Sequence, residues 1–204
     1  KSALGYSRVK PLVKPMLESM TAVVAQHHDD GARFIDLGLP DSVLSISGNI
    51  KFDLTLDAPL KQYAQQLGTQ WRGAEGRLIW LAASTHRGED EIILQAMSQI
   101  KAGMEVPPLL VLVPRHPERF DQVAELCTSA GYTLARHSKA DATAGVDILL
   151  GDTMGELMAF YGACDIAFVG GSLVPTGGHN MIEPAAWGVP ILTGPHLFNF
   201  AEAS

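Results

Sequence analysis

The stretch DIAFVGGSLVPTGGHNMIEPAAW, residues 165–187, joins an apolar run, a glycine-rich loop and the start of a short helix. The run at 165–169 predicts a buried strand, and Met181–Trp187 predicts a helix. Asn180 fits the cap of that helix, with Glu183 three residues on, where a capping box places its acid. This order favours a site where backbone N–H groups meet an anion. The alternative is that Glu183 only closes the cap and the glycines only turn the chain.

The same alternation of strands and helices begins at about residue 77. The runs LIWLAA (78–83) and LLVLV (109–113) predict strands that are buried on both faces. Strands that alternate with helices of this length predict βαβ units and a parallel sheet, so the expected fold class is α/β. The predicted strands are 78–83, 109–113, 133–135, 146–150, 165–169 and 190–193, and the predicted helices are 89–100, 118–130, 156–161 and 181–187.

Polar loops marked by Gly, Pro or hydroxyl residues follow four of these strands. They are Ser84-Thr85-His86, residues 114–119, residues 151–156 and the glycine loop itself. The carboxyl ends of parallel strands lie at one edge of a sheet, and ligands of such sheets bind there. The sequence therefore predicts one binding face that is built from four loops.

The first 50 residues follow a different pattern. A helix within 9–20, a strand at 21–25, a helix at 28–37 and a strand at 43–46 predict the end of a separate α/β unit. An extended segment then leads into a helix that ends near Trp71. We therefore divide the chain into residues 1–50, a linker at 51–72 and a second unit at 73–204.

Composition limits the partners of the 204-residue chain. Its formal net charge of −7 argues against a general nucleic-acid binder. Cys127 and Cys164 are too few for a disulfide framework and lack metal-site spacing, so we expect buried thiols. No apolar run reaches the roughly 18 residues of a membrane span. Because the chain starts at Lys1 and stops soon after a strand, we expect an excerpt of a longer protein, with any membrane anchor outside it.

Arg115 is the strongest candidate for binding an anion. Pro114 and Pro117 restrict its loop, and a planar guanidinium suits bidentate contact with a phosphate or carboxylate. The alternative is a surface arginine that pairs with Glu118.

Two helix starts supply further candidates. Glu183 suits the hydroxyl groups of a ribose, as carboxylates do in many nucleotide sites. Gly155, Glu156 and Leu157 open another helix, where N–H groups can meet a base or a phosphate. Glu156 alone is ambiguous, because an acid in a first helical turn is favoured in any case.

Hydroxyl and imidazole groups complete the set. The hydroxyl groups of Ser84 and Thr85 suit phosphate oxygens, and the alternative is that they cap the following helix. His86 and His179 lack a Cys or carboxylate at ligand spacing, so we expect them to form hydrogen bonds or to pack rather than to bind metal.

Six blocks, in this order along the chain, resemble one family. The chain is similar to the 3-deoxy-D-manno-octulosonic acid (Kdo) transferases, which add Kdo to the lipid A precursor of Gram-negative bacteria. The resemblance covers essentially the whole chain. The blocks are GNIKFD (48–53), STHRGEDE (84–91), VPRHPERF (113–120), GDTMGEL (151–157), FVGGSLVPTGGHNMIEPAA (168–186) and GPHLFNF (194–200).

The resemblance implies a GT-B glycosyltransferase with two Rossmann-like domains and an active site between them. It implies CMP-Kdo as donor, lipid IVA as acceptor, inversion at the anomeric centre, and no metal or cofactor. Residues 1–50 then end the acceptor domain, and 73–204 form a donor domain that lacks its C-terminal end. We expect the protein at the cytoplasmic face of the inner membrane, which it meets through segments outside this chain, with no nucleic-acid partner.

The family's CMP-binding positions fall on the strand-end loops named above. Its catalytic base is a glutamate that is expected upstream of Lys1, so the sequence assigns no catalytic residue here. Lys51, Ser84 and Gly178 are further candidates for contact with the donor, and an interdomain salt bridge is the alternative for Lys51. The implied CMP-binding residues are Pro114, Arg115, Gly155, Glu156, Leu157, Asn180, Met181, Ile182 and Glu183.

Two other functions fit the same features. One is a different GT-B enzyme that acts on a UDP-sugar, or a UDP-sugar epimerase, which a preference for UMP or UDP over CMP would reveal. The other is a non-catalytic nucleotide-binding module on the same scaffold, because fold alone does not fix function.

Overall fold

The computed structural model describes residues 2–26, 28–47 and 54–198. The chain divides into two compact units, residues 1–54 and 55–204. Both units contain parallel strands with helices, so the predicted α/β class is confirmed. Among the helices of these ranges, none is both long and apolar enough to cross a membrane.

The first unit has a two-stranded parallel sheet and three helices. Val23 pairs with Leu44, which sets the register, and Leu17, Leu37 and Leu39 form a small buried core. The first helix was not predicted, because six residues are too few to show a helical period. The elements are α1 (Ser2–Ser7), α2 (Lys10–Glu18), β1 (Val23–Ala25), α3 (His28–Leu37) and β2 (Leu44–Ile46).

The second unit has a six-stranded, fully parallel sheet in the order β5-β6-β4-β3-β7-β8. Its six strands and the four helices that follow them were all predicted, with ends within three residues. Residues 58–72, assigned above to a linker, form a helix that packs on α7 within this unit. The elements are α4 (Ala58–Arg72), β3 (Ile79–Thr85), α5 (Asp90–Gly103), β4 (Leu109–Pro114), α6 (Phe120–Ser129), β5 (Leu134–Arg136), β6 (Ile148–Leu150), α7 (Leu157–Ala163), β7 (Ile166–Val169), α8 (Ile182–Ala186) and β8 (Ile191–Leu192).

Side chains of β3 alternate between two hydrophobic layers, one on each face of the sheet. Ile79 and Leu81 pack with α4 and α7 on one face, while Trp80 and Ala82 pack with α5 and α6 on the other. Burial on both faces explains the continuous apolar runs in the sequence. Both cysteines are buried, as predicted, and burial raises the pKa of each thiol to about 12. These thiols are Cys127 and Cys164.

An ion pair ties α4 to the start of two central strands. The Arg72 guanidinium donates two hydrogen bonds to the Asp165 carboxylate, at 2.7 and 2.8 Å, and the Ile79 amide donates a third at 2.7 Å. Burial opposes ionisation of Asp165, but these donors outweigh it and lower its pKa. The carboxylate thereby holds together the N-terminal ends of β3 and β7, at the sheet edge opposite the strand-end loops.

Replacement of Asp165 by Asn should lower the free energy of unfolding at pH 7 by about 1–2 kcal/mol, the lower part of the range for hydrogen bonds to charged groups, because the pair is partly exposed. The folded-state pKa lies below the usual 3.8. The stabilisation should therefore be complete above pH 4–5 and disappear as the pH falls through the folded-state pKa. Urea unfolding of both proteins across this pH range measures the difference, and a gap that widens in acid would contradict the assignment.

Candidate functional site

The strand-end loops converge where the strand order reverses. The chain passes from β3 to β4 on one side, and later returns to β7 on the other side of β3. The carboxyl ends of β3 and β7 therefore form a topological switch point, where open α/β sheets bind ligands. The candidate site lies at this edge.

A buried carboxylate, Glu89, organises the switch point. It is 0% exposed and accepts four backbone hydrogen bonds. The amides of His86 and Gly171 donate to one oxygen, both at 2.8 Å, and those of Ser172 and Leu173 donate to the other, at 3.0 and 2.9 Å. Four N–H donors replace the water that a buried carboxylate loses. This role of Glu89 is not evident from the sequence, because an acid at a helix start is also typical of an ordinary cap.

The glycine loop packs against the protein itself. A Cβ atom on Gly170 would lie 2.4 Å from the carbonyl oxygen of Ser84, so only glycine lets β7 end so close to β3. The Ser172 hydroxyl donates to the carbonyl of Val169 at 2.6 Å, and the Gly178 amide closes the loop on the Gly171 carbonyl at 2.7 Å. At Gly170 the close approach expected for a ligand is therefore made to the chain's own backbone.

The end of β3 has an unusual backbone. Ser84 has a φ of 56°, in the left-handed region that non-glycine residues rarely adopt, and the strand register shifts between Ala83 and Thr85. The Thr85 hydroxyl donates to the Asp90 carboxylate at 2.6 Å and does not cap the backbone of α5, so the capping alternative is not observed for that residue. Arg119 binds both Asp90 and the Thr85 carbonyl and so locks the β3 and β4 loops together.

A basic cluster of Arg115, His86, His116 and His179 lies at this edge. The Nε2 atoms of His86 and His179 are 2.6 Å apart, so the predicted hydrogen bonding of these two residues is confirmed. The His116 ring meets His86 edge-on, with centroids 5.6 Å apart. Within the described ranges, no group of three or more His, Cys, Asp or Glu side chains is arranged to hold a metal ion.

Arg115 carries the formal positive charge of this cluster. Its amide donates to the Thr85 carbonyl at 3.0 Å, while the residue itself is exposed and the preceding Pro114 is buried. No described carboxylate pairs with its guanidinium, so the alternative pairing with Glu118 is not observed. Burial, together with the neighbouring His86 and Arg115, lowers the pKa of His179 to about 4. His86 and His179 are therefore neutral near pH 7, and Arg115 supplies the positive charge of the cluster.

The loop before α7 leaves its backbone amides, rather than its acid, available for hydrogen bonding. The Glu156 carboxylate accepts a hydrogen bond from the Tyr63 hydroxyl at 2.5 Å and lies 3.4 Å from the His137 ring. The amides of Gly155, Glu156 and Leu157 donate to no other described residue. Because α7 has only seven residues, these amides count as individual donors more than as the end of a helix dipole.

The start of α8 departs in detail from the predicted capping box. The Asn180 Oδ1 atom accepts from the Ile182 amide at 3.0 Å, and its Nδ2 donates to Glu183 Oε1 at 3.1 Å. Glu183 therefore binds the side chain of Asn180 rather than its backbone N–H, and its second oxygen accepts from no described residue. The side chains of Met181 and Ile182 are buried, so only their backbone can face a ligand. Lys51 lies outside the described residues.

A parallel sheet with helices on both faces and polar loops at its switch point defines the class of doubly wound α/β proteins. Comparison with known proteins identifies the family to which the chain belongs. The family model described as 3-Deoxy-D-manno-octulosonic-acid transferase (kdotransferase) matches residues 1–54. The 3-deoxy-D-manno-octulosonic acid transferase of Haemophilus influenzae is 45% identical over 99% of this chain and 47% of its own length. That of Bordetella pertussis is 40% identical over 94% and 44%, respectively.

A solved structure supports the same placement. The C-terminal CMP-Kdo binding domain of WaaA from Acinetobacter baumannii superposes with a TM-score of 0.67 at 38% identity, over 72% of this chain and 76% of that chain. The chain belongs to the Kdo transferase family. It spans about half the length of the curated relatives it matches.

Replacement of Glu89 by Gln should lower the free energy of unfolding by about 1–3 kcal/mol, because the new NH₂ group would face two backbone donors and leave them unsatisfied. The same replacement should accelerate hydrogen exchange of the backbone amides of Gly171, Ser172 and Leu173. The matched control is Glu91→Gln on the exposed face of α5, which should change neither quantity. Equal stability of both variants would show that the four hydrogen bonds do not hold the loop.

Proposed function

We propose that this protein is a Kdo transferase that moves Kdo from CMP-Kdo to lipid IVA, the lipid A precursor, in lipopolysaccharide synthesis. The transfer inverts the anomeric centre and uses neither a metal nor a cofactor. The protein works at the cytoplasmic face of the bacterial inner membrane, which it meets through segments outside this chain.

One observation carries the proposal. The protein whose domain superposes on this chain at 38% identity is described as binding CMP-Kdo, and the match covers 76% of that domain. A phosphate of the donor is the kind of group that Arg115 suits, because a guanidinium in a stiff loop offers paired donors.

We assign roles to the remaining residues from the donor and acceptor atoms that have no described partner. The amides of Gly155, Glu156 and Leu157 are available to the base or the phosphate of CMP. Glu183 has one carboxylate oxygen without a described donor, which suits a ribose hydroxyl. Asn180 orients that carboxylate. Met181 and Ile182 contribute backbone groups, and Pro114 holds Arg115 in place.

The proposed reaction forms a bond between the anomeric carbon of Kdo and an acceptor oxygen and breaks the bond from that carbon to the phosphate oxygen. CMP leaves with the bonding electrons, and a fixed cation stabilises the charge that develops on its phosphate. Arg115 is the residue that we assign to this role. A general base must take the proton of the acceptor hydroxyl, and we assign none of the residues above to that role.

Calorimetric titration of the protein with CMP, UMP and UDP tests the nucleotide class. We expect CMP to bind more tightly than the two uridine nucleotides. A preference for UDP would favour an enzyme of UDP-sugars, and the absence of binding to any nucleotide by the folded protein would refute the proposal.

Arg115→Ala and Glu183→Ala should each weaken CMP binding by about tenfold to a hundredfold, the equivalent of one or two charge-assisted hydrogen bonds, without lowering stability. Arg115→Lys should bind CMP with an affinity between those of the unchanged protein and of Arg115→Ala, because it keeps the charge and loses the paired donors. Glu125→Ala, an exposed acid on α6, is the control and should bind as the unchanged protein does. Unaltered affinity in both alanine variants would refute the assignment of the site.

A further inference from the structure

Two imidazole rings share a hydrogen bond at the switch point. His86 follows β3 and His179 lies in the loop after β7, with the Nε2 atoms 2.6 Å apart and the rings within 8° of parallel. Such a contact needs one N–H and one lone pair, so a single proton lies between the two nitrogens. The same contact persists if one ring also gains a proton at Nδ1, because an imidazolium donates a stronger hydrogen bond than a neutral ring. The pair can therefore accept one positive charge without coming apart.

The groups around this pair almost balance in charge. Glu89 lies beneath it and is already bound by four amides, one of them from His86. Arg115 and His116 face it from the β4 loop, and Arg119 faces it with its charge matched by Asp90. Burial lowers the pKa of both rings, and the cation at Arg115 adds to this effect. The pair is consequently neutral near pH 7 in the free protein.

An anion at Arg115 changes this balance. The guanidinium has no described carboxylate partner, so a phosphate bound there introduces negative charge beside both rings. Negative charge within a few ångströms favours the protonated form of an imidazole. The His86–His179 pair is therefore neutral without a ligand, and a bound phosphate favours its protonated form.

We propose that the His86–His179 pair takes up one proton when a phosphate binds beside Arg115, so that nucleotide binding at this edge depends on pH. This inference rests on the proposed function. The proton comes from solvent and binds the free Nδ1 of the ring that donates its Nε2–H. The result is an imidazolium–imidazole pair, which adds a second cation next to the phosphate.

Calorimetry of the full chain with CMP, at pH 7 in buffers of different ionisation enthalpy, measures the uptake directly. We expect net uptake of up to one proton per CMP and affinity that rises as the pH falls from 8 to 7, by at most about tenfold per unit. The CMP phosphate itself titrates only near pH 6. Cytidine, which lacks the phosphate, should cause no uptake.

Two variants locate the proton. Gln forms neutral hydrogen bonds but does not titrate, so His86→Gln and His179→Gln should each still bind CMP while both the uptake and the pH dependence disappear. If one of the two variants is unstable, the other alone tests whether the pair takes up the proton. His28→Gln, on the exposed start of α3, is the control and should retain both.

The outcomes separate this inference from the proposed function. CMP binding by the unchanged protein without proton uptake, uptake that persists in both variants, or equal uptake with cytidine would overturn the inference and leave the proposed function standing. The absence of CMP binding would overturn both.

Discussion

The hydrogen bonds that Glu89 accepts hold the site together. Its carboxylate is fully buried and joins the turn after β3 to a loop that lies 82 residues further along the chain. Burial of an unpaired carboxylate is costly, so the four amides and the carboxylate depend on one another. Amides that converge in this way often bind an anionic ligand. Here the protein's own side chain fills that place.

This constraint limits which groups of the neighbouring loops remain available to a phosphate. The glycine-loop amides that face Glu89 already donate to its carboxylate, and we therefore assign the phosphate to Arg115. Arg115 is itself held by its amide contact with Thr85, and Thr85 is locked through Asp90. The backbone of Arg115 is thus anchored to two buried strands of the sheet, β3 and β4. Such rigid support suits a site that must stabilise developing charge.

Much of this architecture could be predicted from local sequence. The apolar runs identified β3 and β4, because strands buried on both faces need no polar positions. Arg115 was found from its place after a strand and between prolines. The role of Glu89 could not be predicted, since its partners at Gly171, Ser172 and Leu173 are distant in sequence. The direction of the Glu156 carboxylate likewise depends on Tyr63, 93 residues away on α4.

A crystal structure of the protein with CMP tests this account most directly. The account predicts the CMP phosphate beside the Arg115 guanidinium and the His86–His179 pair, with Glu89 still bound by its four amides. A phosphate seated on the amides of Gly171 to Leu173 with Glu89 displaced, or a nucleotide bound away from the carboxyl ends of the strands, would contradict it.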